Sequence, residues 1–196
     1  MLVLFVVKIS NLKEAIFMFT RLKSSAKELK STRSLVLCAA FVALYVAIES
    51  FSIFSDSTQK FTFSFVALAL MGYRFGIVPS SIAAFACDLI GFFLKPMGAY
   101  HPGFAISKIC TCIIFAIFLY KKPTKLWRII TAKTLINILV NSLLNAYWLA
   151  TLYSSKGYLV LLASHFYKNM VLLPFEIIIL FFVFTAFNKI EKKLYK

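Results

Sequence analysis

Residues 61–94 read F-T-F-S-F-V-A-L-A-L-M-G-Y-R-F-G-I-V-P-S-S-I-A-A-F-A-C-D-L-I-G-F-F-L, and how this run divides decides the fold. As one helix it is far longer than the roughly 20 residues that cross a hydrocarbon core of about 30 Å. Gly72-Tyr73-Arg74-Phe75-Gly76 and Pro79 break it, so the reading is two helices joined by a tight turn. Working outward, Leu35 to Phe54 makes a helix before it, and Pro102 to Tyr120, Ile129 to Tyr153 and Phe166 to Phe187 make three after it. Pro96, Gly98, Pro102 and Gly157 mark the connections. The expected fold is an all-α integral membrane protein with six transmembrane helices.

Composition points the same way. Of 196 residues, 61% are apolar, 15% are charged and 22 are Phe, whereas soluble domains are about 45–50% apolar and about 25% charged. An ordinary soluble domain is excluded. The net charge of +15 comes from clusters in the connections. Lys8, Lys13, Arg21, Lys23, Lys27, Lys30 and Arg33 precede the first helix, Lys121, Lys122, Lys125 and Arg128 separate the fourth and fifth, and Lys189, Lys192, Lys193 and Lys196 end the chain. In a six-helix chain these and Arg74 fall on one side, while the other side holds Lys60, Lys95 and Lys156. The positive-inside rule then puts both termini in the cytoplasm, and the basic excess reads as membrane topology rather than as a nucleic-acid surface.

The expected organisation is a basic cytoplasmic or interfacial arm (1–33), a six-helix membrane domain (34–188) and a basic cytoplasmic tail (189–196). Within the arm, M-L-V-L-F-V-V is too short to span and lacks the basic n-region of a signal peptide. Leu12, Ile16 and Phe19 at helical spacing read as an interfacial helix, unless Met18 is the start and residues 1–17 are an upstream extension. Cys38, Cys87, Cys110 and Cys112 lie inside apolar runs, which favours small buried hydrophobes over a disulfide frame or a metal site.

Three acids lie at membrane depth, Glu49, Asp88 and Glu176, each costing about 2.5–3.5 kcal/mol or more near the bilayer centre. They either lock the bundle by pairing with Lys108, Lys168 or helix ends, or serve a ligand. Asp88 stands in D-L-I-G, with Gly91 one turn on for close helix approach, before the loop K-P-M-G-A-Y-H-P-G (95–103) that contains Tyr100 and His101. A carboxylate under a Gly/Pro-rich loop reads as a site with a lid. Asn141 and Asn145 share a helical face, with Trp148 a turn above. They are inter-helix glue or ligand groups, and Trp148 is a ligand contact or part of an interfacial aromatic belt. His165, Lys168 and Asn169 sit on the first turns of the last helix, facing an anionic substrate or snorkelling to headgroups.

No G-x-x-x-x-G-K-[ST], H-E-x-x-H or G-x-S-x-G occurs, so neither ATP binding through a P-loop nor a recognised hydrolytic centre has support. What remains is a helical bundle with a polar pocket, suited to capturing a small molecule. Ala39, Ala43 and Ala47 recur every four residues on the first helix, a face for close packing against a partner or within the bundle.

From Ser34 to Phe187 the chain resembles the substrate-binding S components of energy-coupling factor (ECF) vitamin transporters, specifically the folate branch. The resemblance rests on F-T-F-S-F (61–65), Gly72 and Gly76, Asp88 to Gly91, P-M-G-A-Y-H-P-G-F (96–104), N-A-Y-W-L (145–149) and K-N-M-V-L-L-P (168–174). It implies a binding subunit of the bacterial cell membrane that needs a transmembrane coupling protein and two ATPase subunits, with Ala39 and Ala43 on the docking face. It also implies folate as substrate, with no cofactor, metal or nucleic acid. Asp88 then accepts from the pterin amino and ring N–H groups, Asn141 and Asn145 bond the ring oxygen and nitrogens, and Trp148, Tyr100, Phe61, Phe63 and Phe65 stack on the rings. His101 lies in the lid, and His165 and Lys168 face the glutamate end. Ala105, Ala146 and His165 stand where the branch typically has Thr, Thr and Arg. A related pterin or another vitamin therefore stays open, as does a solo ion-coupled carrier with Asp88 or Glu49 as the proton site.

Overall fold

The computed structural model describes residues 19–51, 54–55, 60–96, 99–152 and 157–194. The apolar M-L-V-L-F-V-V run, Leu12, Ile16, Met18, Met97 and Gly98 of the lid loop, Lys156 and the last two residues of the tail lie outside them. A helix α1 (residues 19–28) leads into α2 (Thr32–Ser50), and a two-residue antiparallel pair follows, β1 (Phe54–Ser55) against β2 (Lys60–Phe61). Then come α3 (Phe65–Phe75), α4 (Ile77–Leu94) and α5 (Pro102–Leu119). A continuous rod, Leu126–Leu152, is made of α6 (Leu126–Leu135), a π-helical stretch (Ile136–Leu144) and α7 (Asn145–Leu152). The last helix is α8 (Tyr158–Leu194).

Five of these helices are long and apolar enough to cross a membrane: α2, α4, α5, the α6–α7 rod and α8. The sixth, α3, has 11 residues, about 16 Å of helix, and is shorter than a span. The helix expected from Phe61 starts only at Phe65, since Phe61 lies in β2 and Phe63 in the turn that follows. Ala67 to Gly72 and Phe75 are all buried, so α3 is wrapped by protein rather than lipid. Its two faces feed two cores. Leu68, Met71 and Phe75 pack with Tyr45 of α2, Ala84 and Cys87 of α4 and Cys112 of α5. Ala69 and Leu70 pack with Phe115 and Leu119 of α5, Ile129 and Ala132 of α6, and Leu180 and Phe184 of α8.

The turn between α3 and α4 is where the glycines predict it. Gly76 has φ +75°, the left-handed region that favours glycine. A Cβ there would lie 2.8 Å from both Ser25 Oγ and the Tyr120 ring, and one on Gly72 would lie 2.9 Å from Cys112 O and Phe115 Cβ. Ser25 completes the turn from α1: its hydroxyl donates to Phe75 O at 2.8 Å and accepts from Val78 N at 3.0 Å. It thereby joins the carbonyl end of α3 to the amide end of α4.

The basic connections meet at one end of the bundle. Lys121 bonds Ser24, Arg74 pairs with Glu191 at 3.2 Å, Tyr73 donates to Asn188 at 2.7 Å, and Asn188 donates to Thr124 at 2.8 Å. The middle of α1 and the end of α8 thus lie on the same side as the α3–α4 turn. With 37 residues, α8 is about 55 Å long and outruns the bilayer core, which carries the expected tail into the helix as far as Leu194. Cys87 and Cys112 are buried, Cys38 and Cys110 half-buried, and all four are free thiols.

Candidate functional site

At the end opposite the basic cluster, the helices part around a cavity of about 370 Å³. Its wall carries Glu49 from α2, Phe61 and Phe65 around the start of α3, Asp88 and Gly91 from α4, Tyr100 and His101 from the loop, and Lys108 from α5. Lys133, Asn141 and Asn145 of the α6–α7 rod and His165, Lys168, Asn169 and Glu176 of α8 complete it. Nine of the eleven substrate contacts expected from the sequence line this space: Asp88, Asn141, Asn145, Tyr100, His101, Phe61, Phe65, His165 and Lys168. Phe63 and Trp148 do not line it but touch residues that do. Phe63 packs edge-on against Phe61 at 5.5 Å between ring centroids.

Trp148 is a brace between α7 and α5. Its Nε1 donates to Ser107 Oγ at 3.2 Å, and its ring packs against His101 at 5.3 Å. Gly103 makes the approach possible, since a Cβ there would come within 2.3 Å of the indole. His101 is fixed by the same corner: it caps α5, accepting from Gly103 N through Nδ1 at 3.1 Å, beside Pro102 at the helix start. Gly91 departs from its expected role. Nothing lies within 4 Å of a Cβ built there, so it borders open cavity rather than a helix crossing.

The three intramembrane acids are all engaged. Asp88 Oδ1 pairs with Lys108 Nζ at 3.0 Å, and the same ammonium lies 5.0 Å from the Tyr45 ring centroid. Glu176 Oε1 pairs with Lys133 Nζ at 3.0 Å, while its Oε2 accepts from Asn137 Nδ2 at 2.8 Å. Glu49 accepts from Thr62 at 3.0 Å. Such pairing is what makes a charge tolerable at this depth. Burial, and then the Asp88 carboxylate, raise the Tyr100 phenol above its ordinary pKa, which sets this loop residue beside the acid.

Behind the cavity a polar chain ties the rod to α8. Asn141 donates to Asn137 Oδ1 at 2.8 Å, Asn137 donates to Asn169 O at 3.1 Å, and Asn169 donates to Ser142 Oγ at 3.1 Å. Ser142 Oγ in turn donates to Asn137 O at 2.7 Å, within the π-helical stretch. Widened turns of this kind recur at functional sites. Lys133, 1% exposed, is the residue that sequence reading missed. Its signal was the repeat Lys133, Asn137, Asn141, Asn145, a long polar side chain every four residues along a largely apolar helix.

Among the described residues of the cavity wall, the buried oxygens Asp88 Oδ2 and Asn145 Oδ1 have no hydrogen-bond partner. A cavity wall that leaves acceptors unmet is built for a ligand that brings donors. Lys95, Lys108, Lys133 and Lys168 against Glu49, Asp88 and Glu176 give that wall a net positive charge, favouring an anionic ligand. Phe61, Phe65, Phe92 and Phe104 offer flat apolar surface alongside these polar groups. Among the described residues no group of His, Cys, Asp and Glu has the placement to hold a metal ion.

No family model matches the chain. It is 26% identical over 163 residues to a protein of Clostridium novyi named Folate transporter FolT, covering 83% of this chain and 94% of that one. It is also 26% identical over 157 residues to a protein of Leuconostoc mesenteroides with the same name, covering 78% and 84%. A crystal structure of FolT bound with folic acid superimposes with a TM-score of 0.71 at 25% identity, over 78% of this chain and 93% of that one. These relatives are transporters rather than enzymes, and with five span-length helices here they mark a multi-pass membrane protein. Sequence and fold agree on one relationship: the chain is similar to proteins named Folate transporter FolT, one of them solved with folic acid bound.

Proposed function

We propose that this protein is the substrate-capturing subunit of an ECF-type importer in a bacterial cell membrane, and that its vitamin is folate. The observation that carries the reading is the pair of unmet acceptors, Asp88 Oδ2 and Asn145 Oδ1, in a cavity with aromatic walls and a surplus of lysine. A pterin ring presents an amino group and N–H donors along one edge, which suits Asp88 and the asparagines. The glutamate tail carries two carboxylates, which suit Lys168 and His165 on α8. Tyr100, His101, Phe61 and Phe65 enclose the rings, and Trp148 and Phe63 act one layer out by holding His101 and Phe61. Two relatives named as folate transporters and the likeness to a folic-acid-bound structure support the choice of ligand.

The chain carries no P-loop motif, so ATP hydrolysis comes from two ATPase subunits joined through a transmembrane coupling protein. We place both termini and the basic end in the cytoplasm and count α3 as the sixth, shortened crossing. Ala39 and Ala43, exposed on α2, form the docking face. A solo ion-coupled carrier is disfavoured because Glu49, Asp88 and Glu176 each already hold a donor or cation. Calorimetric titration of the purified chain with folic acid tests the ligand, and liposome uptake with and without the partner subunits tests the coupling. Absence of binding, or uptake by the chain alone under a pH gradient, overturns the respective half.

A further inference from the structure

A relay of side-chain amides runs from an ion pair to the cavity wall. Asn137 is wholly buried, and its Nδ2 donates to Asn169 O at 3.1 Å and to Glu176 Oε2 at 2.8 Å. A carbonyl and a carboxylate accept only, so the amide cannot turn round, and its Oδ1 is held toward Asn141. Asn141 answers with its Nδ2, which donates to that oxygen at 2.8 Å. Its own Oδ1 is then the atom that Asn141, half-buried in the cavity wall, can offer a ligand. One turn further along the rod, Asn145 Oδ1 is buried with no hydrogen-bond partner among the described residues, and so is Asp88 Oδ2 on α4.

Glu176 can direct this relay because Lys133 holds it. The ammonium lies 3.0 Å from Oε1, which keeps the other carboxylate oxygen for Asn137. We propose that Glu176, held by Lys133, is a positioning residue for ligand specificity. Acting through Asn137, it keeps the Asn141 oxygen toward the cavity, so that the wall accepts hydrogen bonds and selects a ligand edge that presents N–H donors. The donors are those of the proposed pterin ring, so this role rests on the folate reading.

The test uses the full chain in nanodiscs, below the unfolding midpoint of each variant. Glu176→Gln gives the Lys133 ammonium an amide oxygen to hold and turns the amide nitrogen toward Asn137, donor against donor. Asn137 and then Asn141 turn round, and folate affinity should fall about tenfold. Adding Lys133→Met removes the cation that claims the oxygen, and Lys133→Met/Glu176→Gln should regain most of that affinity. Lys133→Met/Glu176→Leu is equally uncharged but offers Asn137 no acceptor at this position, and should bind folate about tenfold more weakly than Lys133→Met/Glu176→Gln. Hydrogen exchange of the Asn141 side-chain amide, read by NMR in the isotope-labelled chain without ligand, should be slow in the unmodified chain and in Lys133→Met/Glu176→Gln but fast in Glu176→Gln. Equal folate affinity in the two double variants, or slow Asn141 exchange in Glu176→Gln, overturns the proposal. If the unmodified chain binds no folate and the exchange pattern still holds, the folate reading falls and the relay stands for another donor-bearing ligand.

Discussion

Lys108 Nζ on α5 lies 3.0 Å from Asp88 Oδ1 on α4, and this pairing leaves the other carboxylate oxygen, Oδ2, buried and unmet at the cavity. One oxygen holds the bundle together and the other waits for the ligand. Asp88→Asn replaces an acceptor with a donor-bearing amide and strands the Lys108 charge. Folate and any simpler pterin should both lose about 2–4 kcal/mol of binding. Adding Lys108→Met should recover thermal stability but not affinity, because it removes the stranded charge without restoring the acceptor. Calorimetry and thermal unfolding of the single and double variants check both halves, and normal binding by Asp88→Asn would make the carboxylate purely structural.

The two ends of the ligand should respond to different changes. Lys168→Ala or His165→Ala should weaken folate by about 1–2 kcal/mol while sparing a pterin that lacks the glutamate. Parallel titrations with both ligands measure the difference. Equal losses would place these side chains at the ring end instead.

Lys133 and Glu176 form a buried ion pair whose members depend on each other. Glu176→Gln or Lys133→Met alone leaves an uncompensated charge and should cost about 3–5 kcal/mol of stability. Lys133→Met combined with Glu176→Leu should unfold near the wild-type midpoint. Denaturation in a fixed detergent reads all three, and an additive double variant would show that the two residues act separately.

Gly103→Ala puts a methyl group where the Trp148 indole lies. The indole must move, and the corner that holds His101 should loosen. We expect faster ligand release with little change in helix content, measured by stopped-flow fluorescence and circular dichroism. An unchanged off-rate would show that the His101–Trp148 corner takes no part in closing the cavity.

Ala39→Trp and Ala43→Trp alter exposed positions of α2 that do not line the cavity. Each should abolish uptake by the assembled complex while leaving folate affinity within about 0.5 kcal/mol of wild type. If affinity falls together with uptake, the face is not a docking surface.

The lengths of the apolar runs, the Gly/Pro breaks and the grouping of basic residues were legible in the sequence because each is a local property. A run of about 20 apolar residues needs only its length to span a bilayer, and Gly76 needs only its missing Cβ to make the turn at φ +75°. The choice of Asp88, Asn141, Asn145 and Lys168 was legible for the same reason, since a polar group in an apolar helix is conspicuous by itself. Tertiary structure alone decided which of them meet. Lys133 pairs with Glu176 across 43 residues, Trp148 donates to Ser107 of the cavity wall, and Ser25 reaches from the arm to join α3 to α4. Phe61 and Phe63 fall outside α3, and α3 itself ends up shorter than a span. Spacing along one helix assigns a face, but the partner of that face comes from another segment, and only packing brings the two together.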